Sequence, residues 1–407
     1  MGNVLGIIAE YNPLHNGHVY HIENAKERAK AEYVVAIITG NFTQRGNTSI
    51  VDKWEKTRMA LKNGIDLVIE LPTIYSISSA ENFADGAIKI LNELRFISHI
   101  SFGMEEEDIT LINNIASVMT NEPKEYKNYL KEALKEGDSY PKAREKALLK
   151  YLNDSKYENV LNGSNNILAI EYLKALKRQK SNIIPVGIKR EKVFYNSNKI
   201  IDEYASSTGI RNLLLSKQIE EVIKVVPSST FNILYENIKN GTFTFDLKDL
   251  SKPIIYKFRN MTKQEIRELP DVSEGLENLI KESVEKTNNL VELINLIKNK
   301  RYTQTRIQRI LLYGLLGITK KDMEMSKKTA PYIRVLGCNR QGKRLLSEID
   351  RDKLITSVKD YENKNKNRSK NLKRMLEIDK NATNMYTIAF KENSKCNLDY
   401  TKPLITE

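Results

Sequence analysis

Three of the four histidines of this 407-residue chain fall within seven residues, as His15, His18 and His21, and the first two frame an Asn-Gly pair. Two imidazoles three residues apart at the start of a helix point to the same side. A helix N-terminus carries roughly half a positive charge and unpaired backbone N–H groups, and both suit phosphate oxygens. Gly17 removes a side chain where a nucleotide would lie against the backbone. Together these features describe a site for splitting ATP between its α and β phosphates, with the imidazoles stabilising phosphate charge during in-line displacement. No covalent enzyme nucleophile is needed, and His15 and His18 are the candidate catalytic pair. HxGH alone is weak evidence. Its alternatives are a His-rich loop start or half of a metal site that His21 would extend, although His21 reads better as a flank of the pocket and His99 as structural. Between a buried strand and a helix the motif becomes strong.

Ser206-Ser207-Thr208-Gly209-Ile210-Arg211 is the second constellation. Its hydroxyls can cap a helix and meet phosphate oxygens, so Ser207 and Thr208 join the candidate nucleotide site. Arg211 can grip the β or γ phosphate through its guanidinium fork. Read alone, a plain N-cap followed by a surface arginine is equally open.

The elements that must position these residues alternate regularly. Residues 4–9 (VLGIIA), 33–39 (YVVAIIT), 65–71 (IDLVIEL) and 97–102 read as strands, and residues 19–30, 53–63 and 80–94 as helices between them. That alternation predicts βαβ units and an α/β, Rossmann-like parallel sheet. Right-handed crossovers place the strand C-termini on one edge, where open α/β sheets bind ligands. His15 and His18 follow strand one and Gly103 follows strand four, so they converge there. A charged helical insertion is expected near residues 106–180, then a fifth strand at 183–188 followed by Lys189 and Arg190. Beyond residue 216 the strand signal fades. The expected division is therefore a catalytic domain, 1–215, and a mostly α-helical domain, 216–407, with the Lys/Asn-rich run 360–373 as a loop or frayed helix.

The net charge of +13 and pI of about 9.3 favour a polyanionic partner, although a Lys-, Asn- and Ile-rich composition can have other origins. Lys300, Arg301, Arg306 and Arg309 form a basic cluster, read equally as a solvated face or an RNA-backbone contact. Lys53 and Arg58 lie on one helix, facing either RNA or water. No pattern of an OB, RRM or KH module is present. The chain has no run of about 20 apolar residues, so no membrane partner is expected. It shows no signal peptide, and Cys338 and Cys396 are too far apart in sequence to form a metal-ligand cluster. A reducing cytoplasm with free thiols fits.

HxGH after strand one together with SSTGIR resembles the HIGH-type nucleotidyltransferase superfamily. GIIAEYNPLHNGHVYH, NFTQRG, DLVIELP with AENFADGAIKIL, SFGMEEED and SNNILAIEYLKAL together resemble one family within it, the bacterial tRNA(Met) cytidine acetate ligases. The likeness covers about residues 4–215 and runs more loosely through YTQTRIQRILLYGLLGI and APYIRVLGCNRQGKRLL. It implies a two-step reaction. Acetate attacks the α phosphate of ATP, with Mg²⁺ accompanying the triphosphate, and gives acetyl-adenylate and pyrophosphate. The wobble cytidine of elongator tRNA(Met) then takes the acetyl group and becomes N4-acetylcytidine.

The resemblance also implies an ATP site. Ile7, Ile8 and Ala9 would contribute from the strand end, and Glu10, Tyr11, Asn12, Pro13 and Leu14 from the turn. His15, Asn16, Gly17, His18, Val19 and Tyr20 follow, joined by Gly103, Asn165 and Arg190. Asn165 would read adenine or ribose, or else cap a helix. Arg190 would hold a phosphate, or else be a solvated strand-end charge, and Gly103 would let adenine approach the backbone. Gln44-Arg45-Gly46 would be a pocket loop, or a solvent-exposed turn. Glu10 and Asp66 are neighbours of the sheet, and no metal ligand is assigned. Two rivals stay open: a small-molecule adenylyltransferase or cytidylyltransferase, and a non-catalytic RNA-binding protein on the same fold. Acetate-dependent exchange of pyrophosphate into ATP separates the ligase from the first rival, and a protein that binds tRNA but never consumes ATP would be the second.

Overall fold

A computed structural model describes residues 2–106, 108–138, 140–190, 204–273, 275–364 and 369–407. The five expected strands are β1 (Asn3–Ala9), β2 (Ala31–Thr39), β3 (Leu67–Leu71), β4 (His99–Met104) and β5 (Ile184–Lys189). They are parallel and lie in the order β5-β4-β1-β2-β3. The chain therefore winds one way from β1 to β3 and the other way through β4 and β5. The reversal leaves a crevice beyond the ends of β1 and β4, where doubly wound sheets hold their ligands.

Strand period explains the two cores. Val35, Ile37, Leu67 and Ile69 face one layer, and Val34, Ala36, Ile38 and Val68 face the other. Both faces are covered, so these strands are apolar throughout rather than alternating. Helix α1 (Asn16–Arg28) buries Ile22 and Ala25 on the second face. Helix α2 (Lys53–Leu61) follows Asp52, whose carboxylate accepts from the N–H groups of Trp54 and Glu55. Its Trp54 and Met59 pack on the same face as α1.

The expected insertion between β4 and β5 consists of the helices Ile109–Asn121, Lys124–Lys135, Tyr140–Leu152, Lys156–Asn162 and Ser164–Arg178. The last lies against the sheet, with the Tyr172 ring 5.6 Å from that of Phe102. The Lys/Asn-rich run lies within the helices Val358–Lys364 and Lys370–Thr387, apart from Ser369, which caps the second; its residues 365–368 lie outside the described residues.

The sheet extends past the boundary expected near residue 216. β6 (Ile333–Cys338) runs antiparallel to β3, and the two-residue strands β7 (Leu354–Ile355) and β8 (Ile405–Thr406) run parallel to β6. The fully buried β6 contains Arg334, which argues against a core strand from sequence. Its guanidinium is neutralised by Glu70 at 3.3 Å and Asp399 at 2.6 Å. Lys53 completes the cluster, 2.8 Å from Glu70 and 2.7 Å from Asp399, with none of its side chain exposed. It faces neither RNA nor water, whereas Arg58 is exposed. Cys338 is buried, Cys396 is exposed, and both are free. No helix among the described residues is long and apolar enough to cross a membrane.

Candidate active site

Residues 10–15 link β1 to α1 at the crevice. Two buried side chains hold this turn to the end of β2 and the segment that follows it. Asn12 donates through Nδ2 to the Thr48 carbonyl at 3.2 Å and accepts the Ile50 N–H at 2.7 Å. Lys56 donates to the carbonyls of Glu10 at 2.9 Å and Thr39 at 2.7 Å, and to the hydroxyls of Thr39 and Ser49. Burial pushes its pKa down to about 7, opposed by the nearby carboxylates of Glu10, Glu70 and Asp52. Tyr11 takes a left-handed φ of 46°, and its ring meets His18 edge-on at 5.1 Å.

His15 is the N-cap of α1, and the rings of His15 and His18 lie 3.8 Å apart with planes tilted by 30°. Gly17 makes this possible: a Cβ there would stand 3.1 Å from the His15 ring. The space expected for a nucleotide is thus bordered by imidazole. His18 accepts the His15 N–H through Nδ1, which leaves Nε2 as the N–H donor of a neutral ring. Burial first, and Arg190 second, hold His15 down to about 3. His21, hydrogen-bonded through Nε2 to the Ser101 hydroxyl at 2.9 Å, is held near 4 by the same causes. Burial, His15, Arg190 and His21 together keep His18 well below its ordinary value. His99 pairs instead with Ser98, away from these rings, as a structural residue would.

On the β4–β5 side, Arg190 donates to Oδ1 of Asn165 at 3.1 Å, and a Cβ on Gly103 would stand 3.3 Å from its stem. Asn165 Nδ2 donates to Glu105 Oε1 at 2.7 Å. Glu105 also accepts the backbone N–H groups of Asn165 and Asn166, fixing the start of the helix Ser164–Arg178. Gly103 therefore accommodates the arginine stem. On the opposite flank, Ser206 caps the helix Ser207–Leu215 by accepting the Gly209 N–H. Arg211 donates to the Asn12 carbonyl at 2.8 Å and to the Thr208 hydroxyl at 3.3 Å. The expected convergence of the two motifs is present.

The resulting cleft has a volume of about 640 Å³, within the usual range for small-ligand sites. Of the expected nucleotide residues, Ile8, Ala9, Glu10, Tyr11, Asn12, His15, Gly17, His18 and Tyr20 line it, with Gly103, Asn165, Arg190, Ser207, Thr208 and Arg211. Ile7 and Leu14 point into the core, Val19 packs against it, and Pro13 is buried. Asn16 turns away and donates to the Lys224 carbonyl. No group of three or more His, Cys, Asp or Glu placed to hold a metal occurs among the described residues.

Gln44 and Arg45 line the cleft and are half-buried, so this loop is not a solvent-exposed turn. Gln44 is fixed by its N–H to Glu10 Oε1 and its Nε2 to the Ser78 carbonyl. The basic cluster divides. Arg306 and Arg309 are bound to Asp271, while Gln304, Thr305 and Gln308 beside them line the cleft. Sequence reading missed these three because charge drew attention to their neighbours. Glu105 was legible only within SFGMEEED.

A family model described as HIGH Nucleotidyl Transferase matches residues 2–400. The chain is 46% identical to the tRNA(Met) cytidine acetate ligase of Thermoanaerobacter sp. (strain X514), over 99% of both chains. It is 42% identical to that of Acetivibrio thermocellus, again over 99% of both. Among solved structures, Thermotoga maritima TmcAL is similar in its apo form, with a TM-score of 0.95, 31% identity and 99% of each chain covered. The same protein bound with alpha-thio ATP matches with a TM-score of 0.93 at equal identity and coverage.

Proposed function

The chain belongs to the HIGH nucleotidyl transferase family, among its tRNA(Met) cytidine acetate ligases, and on that footing we propose how its own residues perform the ligation. It is an ATP-dependent ligase that activates acetate and acetylates the wobble cytidine of elongator tRNA(Met) to N4-acetylcytidine. The observation that carries the assignment of residues is the close, neutral His15–His18 pair at a helix N-terminus, in a cleft that Arg190 and Arg211 also line.

In the first step an acetate oxygen attacks the α phosphorus. The bond to the bridging oxygen breaks, and pyrophosphate leaves. His18 donates from Nε2 to a phosphate oxygen as charge shifts, and His15 borders the same phosphate. Arg211 with Ser207 and Thr208 takes the departing phosphates, and Arg190 with Asn165 takes the α phosphate and the nucleoside. Mg²⁺ accompanies the triphosphate on this reading. In the second step the N4 amine attacks the acetyl carbon, the electron pair moves onto oxygen, and collapse breaks the C–O bond to AMP. The amine proton leaves to solvent.

Residues 1–215 supply the ATP site on this reading, and residues 216–407 wall the acceptor side. The setting is the cytoplasm, where ATP, acetate and tRNA meet. The test is mass spectrometry of tRNA nucleosides after incubation with ATP, acetate and the protein. N4-acetylcytidine at the wobble position is expected, and an unmodified wobble cytidine in competent tRNA would sink the reading.

A further inference from the structure

The two ends of the cleft differ in chemistry. Around the crevice between β1 and β4 stand the histidines and arginines suited to ATP. The opposite end, beyond β2, is walled by the Gln44 loop and by the helix Gln304–Leu316. Loop and helix meet backbone to backbone. Gly46 has φ +78°, and a Cβ on it would stand 2.7 Å from the Arg309 nitrogen and 2.9 Å from the Gln308 Cβ. Gln308 is therefore seated at a fixed height above the loop.

The helix sorts its side chains by charge. Arg306 donates to the Asp271 carbonyl at 3.0 and 2.7 Å and to the Ser273 hydroxyl at 2.8 Å. Arg309 reaches the Asp271 carboxylate at 3.1 Å. Both cations are anchored outside the cleft. Gln304 and Gln308, one turn apart on one face, line it instead, and neither amide has a hydrogen-bond partner among the described residues. Amides carry both donors and an acceptor, as the edge of a base requires, and no arginine of this helix lines the cleft beside them.

We propose that Gln304 and Gln308 hold the accepting cytosine by donating to its N3 and O2 atoms, which places its N4 amine toward the acetyl group. The inference rests on the ligase reading above and adds the residues that select the base. Cytosine N3 and O2 both accept, so paired amide donors fit them and leave N4 free to attack. Uracil presents an N3–H donor in the same place and is disfavoured, because the amide facing it must turn over to accept that proton.

Two half-reactions separate this from the parent reading. Acetate-dependent exchange of labelled pyrophosphate into ATP needs no RNA, whereas formation of N4-acetylcytidine in tRNA(Met) needs the base site. In the full-length Gln304→Ala/Gln308→Ala variant, kcat/KM for tRNA acetylation should fall roughly ten- to hundredfold, as loss of a base-reading pair does elsewhere. Exchange should keep its rate. Gln308→Glu is nearly isosteric but replaces the donor by an acceptor, so acetylation should fall at least as far as in Gln308→Ala. A packing role would survive that change. Acetylation at the wild-type rate in Gln308→Glu overturns the proposal, as does a loss of exchange in step with acetylation. A wild-type protein without acetate-dependent exchange overturns the ligase reading itself, and the base site falls with it.

Discussion

The backbone N–H of His15 donates to Nδ1 of His18 at 3.2 Å, a bond that only a neutral His18 ring can accept. His15 and His21 are also held neutral, near 3 and 4 against an ordinary 6.5, chiefly by burial. A bound triphosphate brings negative charge to these rings and raises their pKa. ATP binding near pH 6 should therefore take up protons. Titration calorimetry in buffers of different ionisation enthalpy would show it, and a buffer-independent heat counts against it. Folding has the opposite sign, because it releases protons. The folded pKa values lie below 6.5, so the unfolded chain binds more protons under that pH. The contribution is complete above pH 6.5 and is lost as pH falls toward 4, at roughly 1.4 kcal/mol per unit for each buried histidine. Urea midpoints of the ligand-free protein at pH 7 and pH 5 measure this.

His18→Ala removes the one ring whose Nε2–H is set by a backbone bond. Acetate-dependent pyrophosphate exchange should fall by about 10²–10³, the usual loss for a transition-state donor. Binding of tRNA, followed by filter retention, should stay near wild type. Exchange that persists at a tenth or more of the wild-type rate, a threshold of about 1.4 kcal/mol, would mean that His18 is not that donor.

Gly46→Ala asks a side chain to occupy left-handed backbone against the backbone of Gln308 and Arg309. The conformation alone costs about 1–2 kcal/mol, and the clash adds to it. A denaturation midpoint equal to wild type would show that the loop and helix separate freely.

Lys53→Met leaves Glu70 and Asp399 buried with Arg334 as their shared cation. Breaking a buried pair from one side costs about 3–5 kcal/mol. Removing Asp399 as well, as Lys53→Met/Asp399→Leu, should recover part of that loss. The four denaturation curves of this cycle measure the coupling, and simple additivity would contradict it.

What was legible in the sequence was whatever depends on neighbours. The runs around Ile7, Val35 and Val68 read as buried strands because parallel strands are covered on both faces. His15-Asn16-Gly17-His18 and Ser206–Arg211 read as phosphate chemistry because a helix start needs only its own first turn. The remainder depends on partners distant in sequence. Lys53 read as facing RNA or water because nothing beside it in sequence announces Glu70 or Asp399. The strand Ile333–Cys338 was hidden by an arginine whose counter-charges lie elsewhere. Gln304 and Gln308 acquire meaning only once Gly46 brings the helix over the loop.

The antiparallel seam between β3 and β6 also sets an order in time. Chains emerge N-terminus first, and early segments can collapse before later ones exist. The turn carrying His15 and His18 can take shape while β3 is still an open edge, and an open edge invites pairing with other chains. That edge is covered only when Ile333–Cys338 has been made, and the charge of Lys53 is balanced on both sides only when Asp399 arrives. A product of interrupted translation would carry the phosphate-binding turn on an unprotected sheet. Its fate would be aggregation or proteolysis before it could consume ATP.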